Sequence, residues 1–416
     1  MSPSAVAVSA RRERFLLWLL AGLQFTHLLD FMILTPLAPQ FMRLWGIAAH
    51  EFGYLVAVYA VAASLAGLGA SFFIDRFDRR RMLRWVYAIF VAATLACALA
   101  PGFWSLLAAR ALAGASGGVV GSVVMAIVGD VIPAERRGRA MGVIMSAFPL
   151  VSVLGVPASL LVATHLGWHA PFFVLAAIGI LLWSTIGFIV PPVNVHLKGA
   201  AARSRGWMGD FLALFSYSSH RRALLSVFAF TLSGFAIFPY LSAFQVKNIG
   251  IAEADLAWVF FAGGMATIFT SRLIGWSADR FGKRRMFLIL AACSLVPILV
   301  ITHMPRTGLP MLLLVSTLFM VLMSGRFIPL MALVTTCVEP RMRGAFMSLS
   351  SAAQNLAAGL ASLGSGALIG HAADGSLTGF GTVGYCAAGL TLLCIAIARR
   401  LQAAGMQAPA ARPLPV

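Results

Sequence analysis

Charge is scarce in this chain of 416 residues, and negative charge is scarcest: 11% of the residues are charged, with 13 acidic side chains against 31 basic ones. Soluble domains carry about 25% charged residues. A sequence that is 60% hydrophobic with mean hydropathy +0.92 is therefore a membrane protein. Cysteine is sparse too. Cys97, Cys293, Cys337, Cys386 and Cys394 fall in or beside apolar stretches with no CxxC spacing, which excludes a disulfide framework and a metal centre and predicts small buried side chains. GxSxG, HExxH and Walker patterns are absent, and no soluble segment could house a nucleotide site. An enzyme is not expected, nor is a cofactor. A cleavable signal is not expected either, because the first apolar run is too long for a signal h-region and carries Asp30.

What the chain has in abundance is long apolar runs. A membrane-crossing helix needs about 20 mostly apolar residues, since hydrocarbon offers its backbone no hydrogen bonds. Twelve such runs are expected, at 15–42, 51–74, 81–100, 103–129, 138–164, 169–190, 221–246, 253–276, 285–303, 309–337, 343–370 and 379–398. The loops on one side hold 25 Lys and Arg residues, and those on the other hold Arg43, Lys247 and Arg306. This bias places both termini in the cytoplasm and accounts for the formal charge of +18 without a nucleic-acid partner. The organisation expected is a six-helix bundle over 1–192, a cytoplasmic linker over 193–220, a second bundle over 221–400 and a disordered tail over 401–416. Within the linker, Trp207, Phe211, Leu212, Leu214 and Phe215 suggest a helix on the bilayer surface or an irregular connection.

The two halves repeat one another. DRFDRRRM at 75–82 returns as DRFGKRRM at 279–286, a shift of 204, while Arg137-Gly138 in PAERRGRA matches Arg343-Gly344 in PRMRGA. Arg110 has a second buried counterpart in Arg326. Parallel repeats of this kind form transporters whose binding site lies near the midplane between the halves.

Over nearly its full length the chain resembles the major facilitator superfamily. The family's loop signature G-x-x-x-D-R-x-G-R-[RK] is matched by Gly275, Asp279, Arg280, Gly282, Lys283 and Arg284, whereas the first copy has Ser71 and Asp78 in place of the glycines. Arg110 with Gly114 and Gly118 resembles the span-4 motif, and Gly155 with Pro157 in SVLGVPAS is similar to the span-5 motif of proton-driven exporters in the drug and sugar efflux branch. The resemblance implies an all-α membrane protein with twelve transmembrane helices in two six-helix bundles, both termini cytoplasmic, in a bacterial inner membrane. It also implies that Asp75 and Asp279, with Arg76, Arg79, Arg280 and Arg284, form a cytoplasmic latch. The plain alternative is a solvated surface pair.

Asp30 is the one acidic residue deep within a span, roughly 22 Å from its cytoplasmic end at 1.5 Å per residue. Insertion of such a carboxylate costs about 2.5 to 3.5 kcal/mol, so it should face the bundle interior. Arg110 lies at a compatible depth and is its expected partner, either as a proton switch or as a fixed ion pair. His27, one turn earlier, shares the proton or simply lines a polar cavity. Arg326 has no acidic neighbour in the second half; it lines the cavity or bonds backbone carbonyls where the helix breaks near Pro329. Gln354, Asn355, Phe238 and Tyr240 are the further cavity candidates, with core packing as the alternative. Gly114 and Gly118 belong to a small-residue stripe that permits close helix approach, while Gly155 and Pro157 mark a bend. The function expected is secondary active transport, as proton-coupled efflux by antiport of small organic molecules such as drugs, sugars or organic anions through alternating access. The partners expected are substrate, protons and the bilayer, with the protein a monomer. A proton-coupled uptake symporter and a transporter-like receptor are the alternatives.

Overall fold

A computed structural model describes residues 10–73, 77–192, 217–339 and 342–401, without the side chains of residues 10, 71–73, 134, 135 and 343. Asp75, Arg76, most of the linker and nearly all of the tail lie outside the described residues. Among the described residues, eleven helical stretches are long and apolar enough to cross a membrane, from Arg11–Met32 to Phe380–Arg399. The stretch expected to cross at 343–370 forms the 26-residue helix α15 (Arg343–Leu368). Its serines and the Gln354-Asn355 pair keep it out of that apolar class.

Three spans that read as single runs are broken, each at proline. The first divides into α1 (Ala10–Met32) and α2 (Ala38–Leu44), with turns between, because Pro36 has no N–H to give and disfavours a helical residue before it. The fifth divides into α6 (Ala134–Met145), α7 (Ala147–Leu150), a π-helical turn (Val151–Gly155) and α8 (Val156–Leu166). Pro149 and Pro157 deny the carbonyls of Met145 and Val153 their usual donors there. The tenth comprises α13 (Leu309–Gly325) and α14 (Phe327–Thr336), which meet at Arg326, since Pro329 cannot donate to Gly325.

The remaining long helices are α3 (Ala49–Phe73), α4 (Arg79–Ala98), α5 (Phe103–Val131), α9 (His169–Ile189), α10 (Ser218–Phe244), α11 (Leu256–Phe281), α12 (Lys283–Thr302) and α16 (Phe380–Arg399). A two-residue antiparallel ladder, β1 (Gly370–His371) with β2 (Leu377–Thr378), bridges α15 and α16. Asn248 pins it by bonding both ways to the Leu377 backbone, at 2.8 and 2.9 Å.

Close packing of the halves runs along α3 and α15. Ser64 Oγ donates to the Ala352 carbonyl at 2.9 Å and Ser362 Oγ to the Gly53 carbonyl at 3.4 Å, while Tyr240 OH, within the second half, donates to the Ser362 carbonyl at 2.7 Å. The apolar core is distributed unevenly along the membrane axis. One cluster takes residues from both halves, among them Phe41, Phe52 and Leu160 with Tyr240, Phe244 and Phe319. Toward the other end the core splits. Leu83, Tyr87, Val124 and Ile144 belong to the first half alone, while Phe287, Leu330 and Phe346 belong to the second, touched from the first by Leu68. Buried apolar contact between the halves is thus concentrated at one end, the sealed end; at the other, the parted end, which carries the basic loops around Arg79–Arg84 and Lys283–Arg285, each half keeps a core of its own, with Leu68 reaching across. Across the sealed end, Arg43 pairs with Glu253.

Large apolar side chains are turned outward along the spans, including Trp18, Trp85, Trp104, Phe188, Phe269 and Leu273, as a lipid-facing surface requires. Two thiols share that outward position. Cys97, Cys337 and Cys394 are buried as expected, but Cys293 and Cys386 are exposed, because an apolar environment for a thiol is supplied by lipid as well as by core.

Candidate functional site

The break after α1 creates the first element of the site. Asp30 sits in the last turn of that helix, where carbonyls run out of intrahelical donors. Arg110, from the first third of α5, fills the gap: its NH1 donates to the Asp30 carbonyl at 2.8 Å and to Oδ2 at 2.9 Å. Both side chains are fully buried. Thr94 Oγ1, on α4, reaches Oδ1 at 3.4 Å. Beneath the guanidinium lies the ring of Tyr59, 4.2 Å from Cζ, a cation–π contact. Tyr59 OH is 3.2 Å from His27 Nδ1, so His27 joins the cluster through tyrosine and not by touching Asp30.

The glycine stripe of α5 makes this arrangement possible. A Cβ on Gly114 would strike the Tyr59 backbone, and one on Gly118 would strike that of Ala63, so α3 lies as close as two backbones allow. Gly117 leaves the space occupied by His27 Nδ1 and Tyr59 OH, 2.7 and 2.8 Å from where its Cβ would stand. Gly155 admits Leu29 of α1 against the bent fifth span.

The second half repeats the arginine without the carboxylate. Arg326, 1% exposed at the α13–α14 junction, donates from NH1 to Ser294 Oγ at 3.0 Å and to Thr391 Oγ1 at 2.9 Å, and from NH2 to Ser233 Oγ at 3.3 Å. Phe230 lies 5.0 Å from its Cζ. The Ser233 and Thr391 hydroxyls also reach the Ala387 carbonyl, and Ser294 reaches that of Ala291. The hydroxyl dipoles thus point their oxygens at the cation. Ser233 stands 203 positions after Asp30, almost the repeat interval. One half balances its buried guanidinium with a group that can take a proton, the other with groups that cannot. Among the described residues, the buried charged side chains are Asp30, Arg110, Arg326 and Arg79; with Arg79 paired to Asp130 near a helix end, the first three leave a surplus of one positive charge when Asp30 is ionised.

The other sequence candidates fall in several places. Tyr240 is fully buried in the sealed interface, and Phe238 packs edge-on to Phe260 with centroids 6.3 Å apart. Gln354 Nε2 donates within its own helix to Ser350 at 3.3 Å, while Asn355 is half-buried and makes no hydrogen bond among the described residues. Of the latch residues, Arg79 pairs with Asp130 at 3.1 Å, Arg280 lies over Trp276 and Phe281, and Arg284 donates to the Leu401 carbonyl. Asp279 is exposed and makes no ion pair among the described residues. Tyr59, Thr94, Ser233, Ser294 and Thr391 are contributors the sequence reading missed. So is Arg272, an exposed cation on α11.

The described residues thus form two helical halves, each holding a buried arginine at an inter-helix contact. The Major Facilitator Superfamily sequence profile matches residues 20–247 and again 223–414, and the chain belongs to that family. It is 24% identical over 279 residues to a protein of Pasteurella multocida (strain Pm70) described as "Probable sugar efflux transporter", covering 66% of this chain and 65% of the relative. It is 24% identical over 266 residues to "Multidrug resistance protein 2" of Bacillus subtilis (strain 168), covering 63% and 66%. With the "Probable 4-methylmuconolactone transporter" of Cupriavidus pinatubonensis the identity is 28% over 282 residues, covering 64% and 63%. The chain thus spans just under two thirds of the length of each of these relatives. A D-xylose-proton symporter structure superposes with a TM-score of 0.75 at 15% identity, covering 93% of this chain and 97% of that one. A bacterial homologue of the lysosomal transporter Spinster, in an inward-facing and unoccupied conformation, gives 0.71 at 16% identity with 95% coverage of both. Relatives described as sugar efflux and multidrug resistance proteins are thus among those to which this family member is similar.

Proposed function

We propose that the protein is a proton-coupled exporter that exchanges protons for small organic molecules by alternating access, with Asp30 as the proton carrier. The observation that carries this reading is the Asp30–Arg110 pair, fully buried and 2.9 Å apart. A buried pair is poor support for stability but a good switch, because loss of one charge leaves the other uncompensated. Protonation of Asp30 would release Arg110 and loosen α1 from α5, and the halves would then exchange which end is sealed. His27 and Tyr59 border the pair and can share the displaced proton through their 3.2 Å contact.

On this reading all twelve helices, α15 included, cross the inner membrane of a bacterium, with both termini and the parted end in the cytoplasm, and a monomer suffices. Asp279, exposed at the parted end, is the half of a latch that closes when the halves meet there. The surplus positive charge favours substrates with an anionic or hydrogen-bond-accepting group. Relatives described as a probable sugar efflux transporter and as a multidrug resistance protein support small organic molecules as the cargo.

Asp30→Asn tests the proposal. The purified variant is reconstituted in vesicles, and pH-gradient-driven transport of a panel of sugars, organic anions and antibiotics is compared with counterflow in the absence of a gradient. Counterflow is expected to persist and gradient-driven transport to fall to background. Unchanged gradient-driven transport in the variant would remove Asp30 from the coupling step.

A further inference from the structure

The loop between the second and third spans of each half occurs twice, and its two copies use their charges differently. In the first, Asp78 caps α4 by accepting from the Arg81 backbone N–H at 2.9 Å. Arg79 pairs with Asp130 at 3.1 Å, Arg80 donates to the Gly187 carbonyl, and Arg84 lies over the Trp183 ring at 5.3 Å. Arg79, Arg80 and Arg84 of this copy are thus engaged by the protein itself, while Arg81 is left exposed.

In the second copy Gly282 stands where Asp78 stood, 204 positions on, and α12 begins at Lys283 with no side-chain cap. Lys283 and Arg285 make no hydrogen bond or ion pair among the described residues, and Arg284 reaches only the Leu401 carbonyl. Beside them opens a shallow cavity of about 750 Å³, lined by Asp279, Gly282, Lys283, Arg284, Arg285 and Leu333. Three cations face one carboxylate. Glycine at 282 is required by its φ of +94°, so no side chain of the loop takes the place of the missing cap.

The geometry points to this cavity as a binding site for the headgroup phosphate of an anionic phospholipid. Its surplus of two positive charges complements a phosphodiester, and the uncapped start of α12 adds its dipole to the same field. Its position selects a lipid over a soluble anion. The cavity lies where two membrane-spanning helices end, next to the outward-facing Trp276 and Phe281 of α11, the residue types that mark the bilayer–water boundary. Leu333 supplies an apolar wall on which the start of an acyl chain can rest. Basic pockets between spans are a recurrent form of headgroup recognition.

The test uses the purified full-length protein in a neutral maltoside detergent. Thermal unfolding is followed by tryptophan emission while phosphatidylglycerol, phosphatidylcholine with the same acyl chains, or inorganic phosphate is titrated in. Native mass spectrometry counts lipids retained on the folded chain. Saturable stabilisation by phosphatidylglycerol is expected, with little from phosphatidylcholine or inorganic phosphate. Each basic side chain at an anionic surface contributes about fivefold, so Lys283→Gln/Arg285→Gln should raise the half-saturating phosphatidylglycerol concentration about 25-fold. The matched control Arg81→Gln/Arg139→Gln, which removes equal charge from the same end of the first half, should respond like the parent. An equal loss in that control would show a diffuse surface-charge effect and overturn the site. So would equal stabilisation by phosphatidylcholine, equal stabilisation by inorganic phosphate, or an undiminished response of Lys283→Gln/Arg285→Gln.

Discussion

Replacing Asp30 by alanine removes the carboxylate of the buried pair while keeping the backbone that Arg110 also touches. In the variant, NH1 of Arg110 would retain the Asp30 carbonyl at 2.8 Å, and the guanidinium would retain the Tyr59 face at 4.2 Å, but the charge would lose its acidic partner among the described residues. With both side chains fully buried, water cannot replace the lost partner. Breaking a buried pair from one side costs about 3 to 5 kcal/mol. Extending size scaling to a chain of this length, about 1 to 2 °C per kcal/mol, the melting temperature should fall by roughly 5 °C. The companion variant Asp30→Ala/Arg110→Met removes both charges and places an apolar side chain of similar length beside Tyr59. It should recover more than half of the loss, because no uncompensated charge remains. The assay is thermal unfolding of the purified proteins in detergent, checked by size-exclusion chromatography for monodispersity. An Asp30→Ala protein within about 1 °C of the parent, or a double variant no more stable than the single one, would refute the idea that Arg110 depends on Asp30 for its charge balance.

The hydroxyl cage of the second half yields a parallel expectation. Ser294→Ala with Thr391→Val strips both acceptors from NH1 of Arg326 and should destabilise the protein by about 1.5 to 3 kcal/mol for each lost bond, read in the same unfolding assay. Adding Arg326→Met to that pair should restore much of it, and failure to do so would mean that the cage is not what holds the arginine. At the inter-half seam, Ser64→Cys with Ala352→Cys, made after Cys293 and Cys386 are changed to serine, should be joined by a short bifunctional thiol reagent, since Ser64 Oγ lies 2.9 Å from the Ala352 carbonyl. The cross-link should stop transport reversibly; a cross-linked protein that still transports would show that α3 and α15 need not separate.

The spans, the loops and the burial of Asp30 and Arg110 were legible in the sequence because each is a property of a run or of a lone charge in apolar surroundings. A carboxylate in such a run has few places to go, and compatible depths along two helices were enough to pair it. The hydroxyl cage was not legible. Ser233, Ser294 and Thr391 are ordinary residues of membrane helices, each able to satisfy itself on its own backbone, and only the meeting of α10, α12, α14 and α16 turns them toward one cation. Tyr59 was missed for a related reason. Its place under Arg110 depends on an approach that glycines of a different helix permit. The bend of the fifth span and the break near Pro329 were legible as prolines, whereas the break at Pro36 was not, because hydropathy reads only the apolar character of a run.

On the proposed proton-coupled cycle, the uneven treatment of the two buried arginines would make the membrane potential act on the carrier itself. Arg326, held by neutral hydroxyls, would stay charged throughout, while the net charge of the Asp30–Arg110 pair would move between zero and plus one with the proton. A unit charge carried across the whole field gains or loses about 2.3 kcal/mol per 100 mV. Any fraction of that field crossed by the moving halves therefore gives the empty carrier a voltage-dependent preference for one orientation, before substrate or proton has bound.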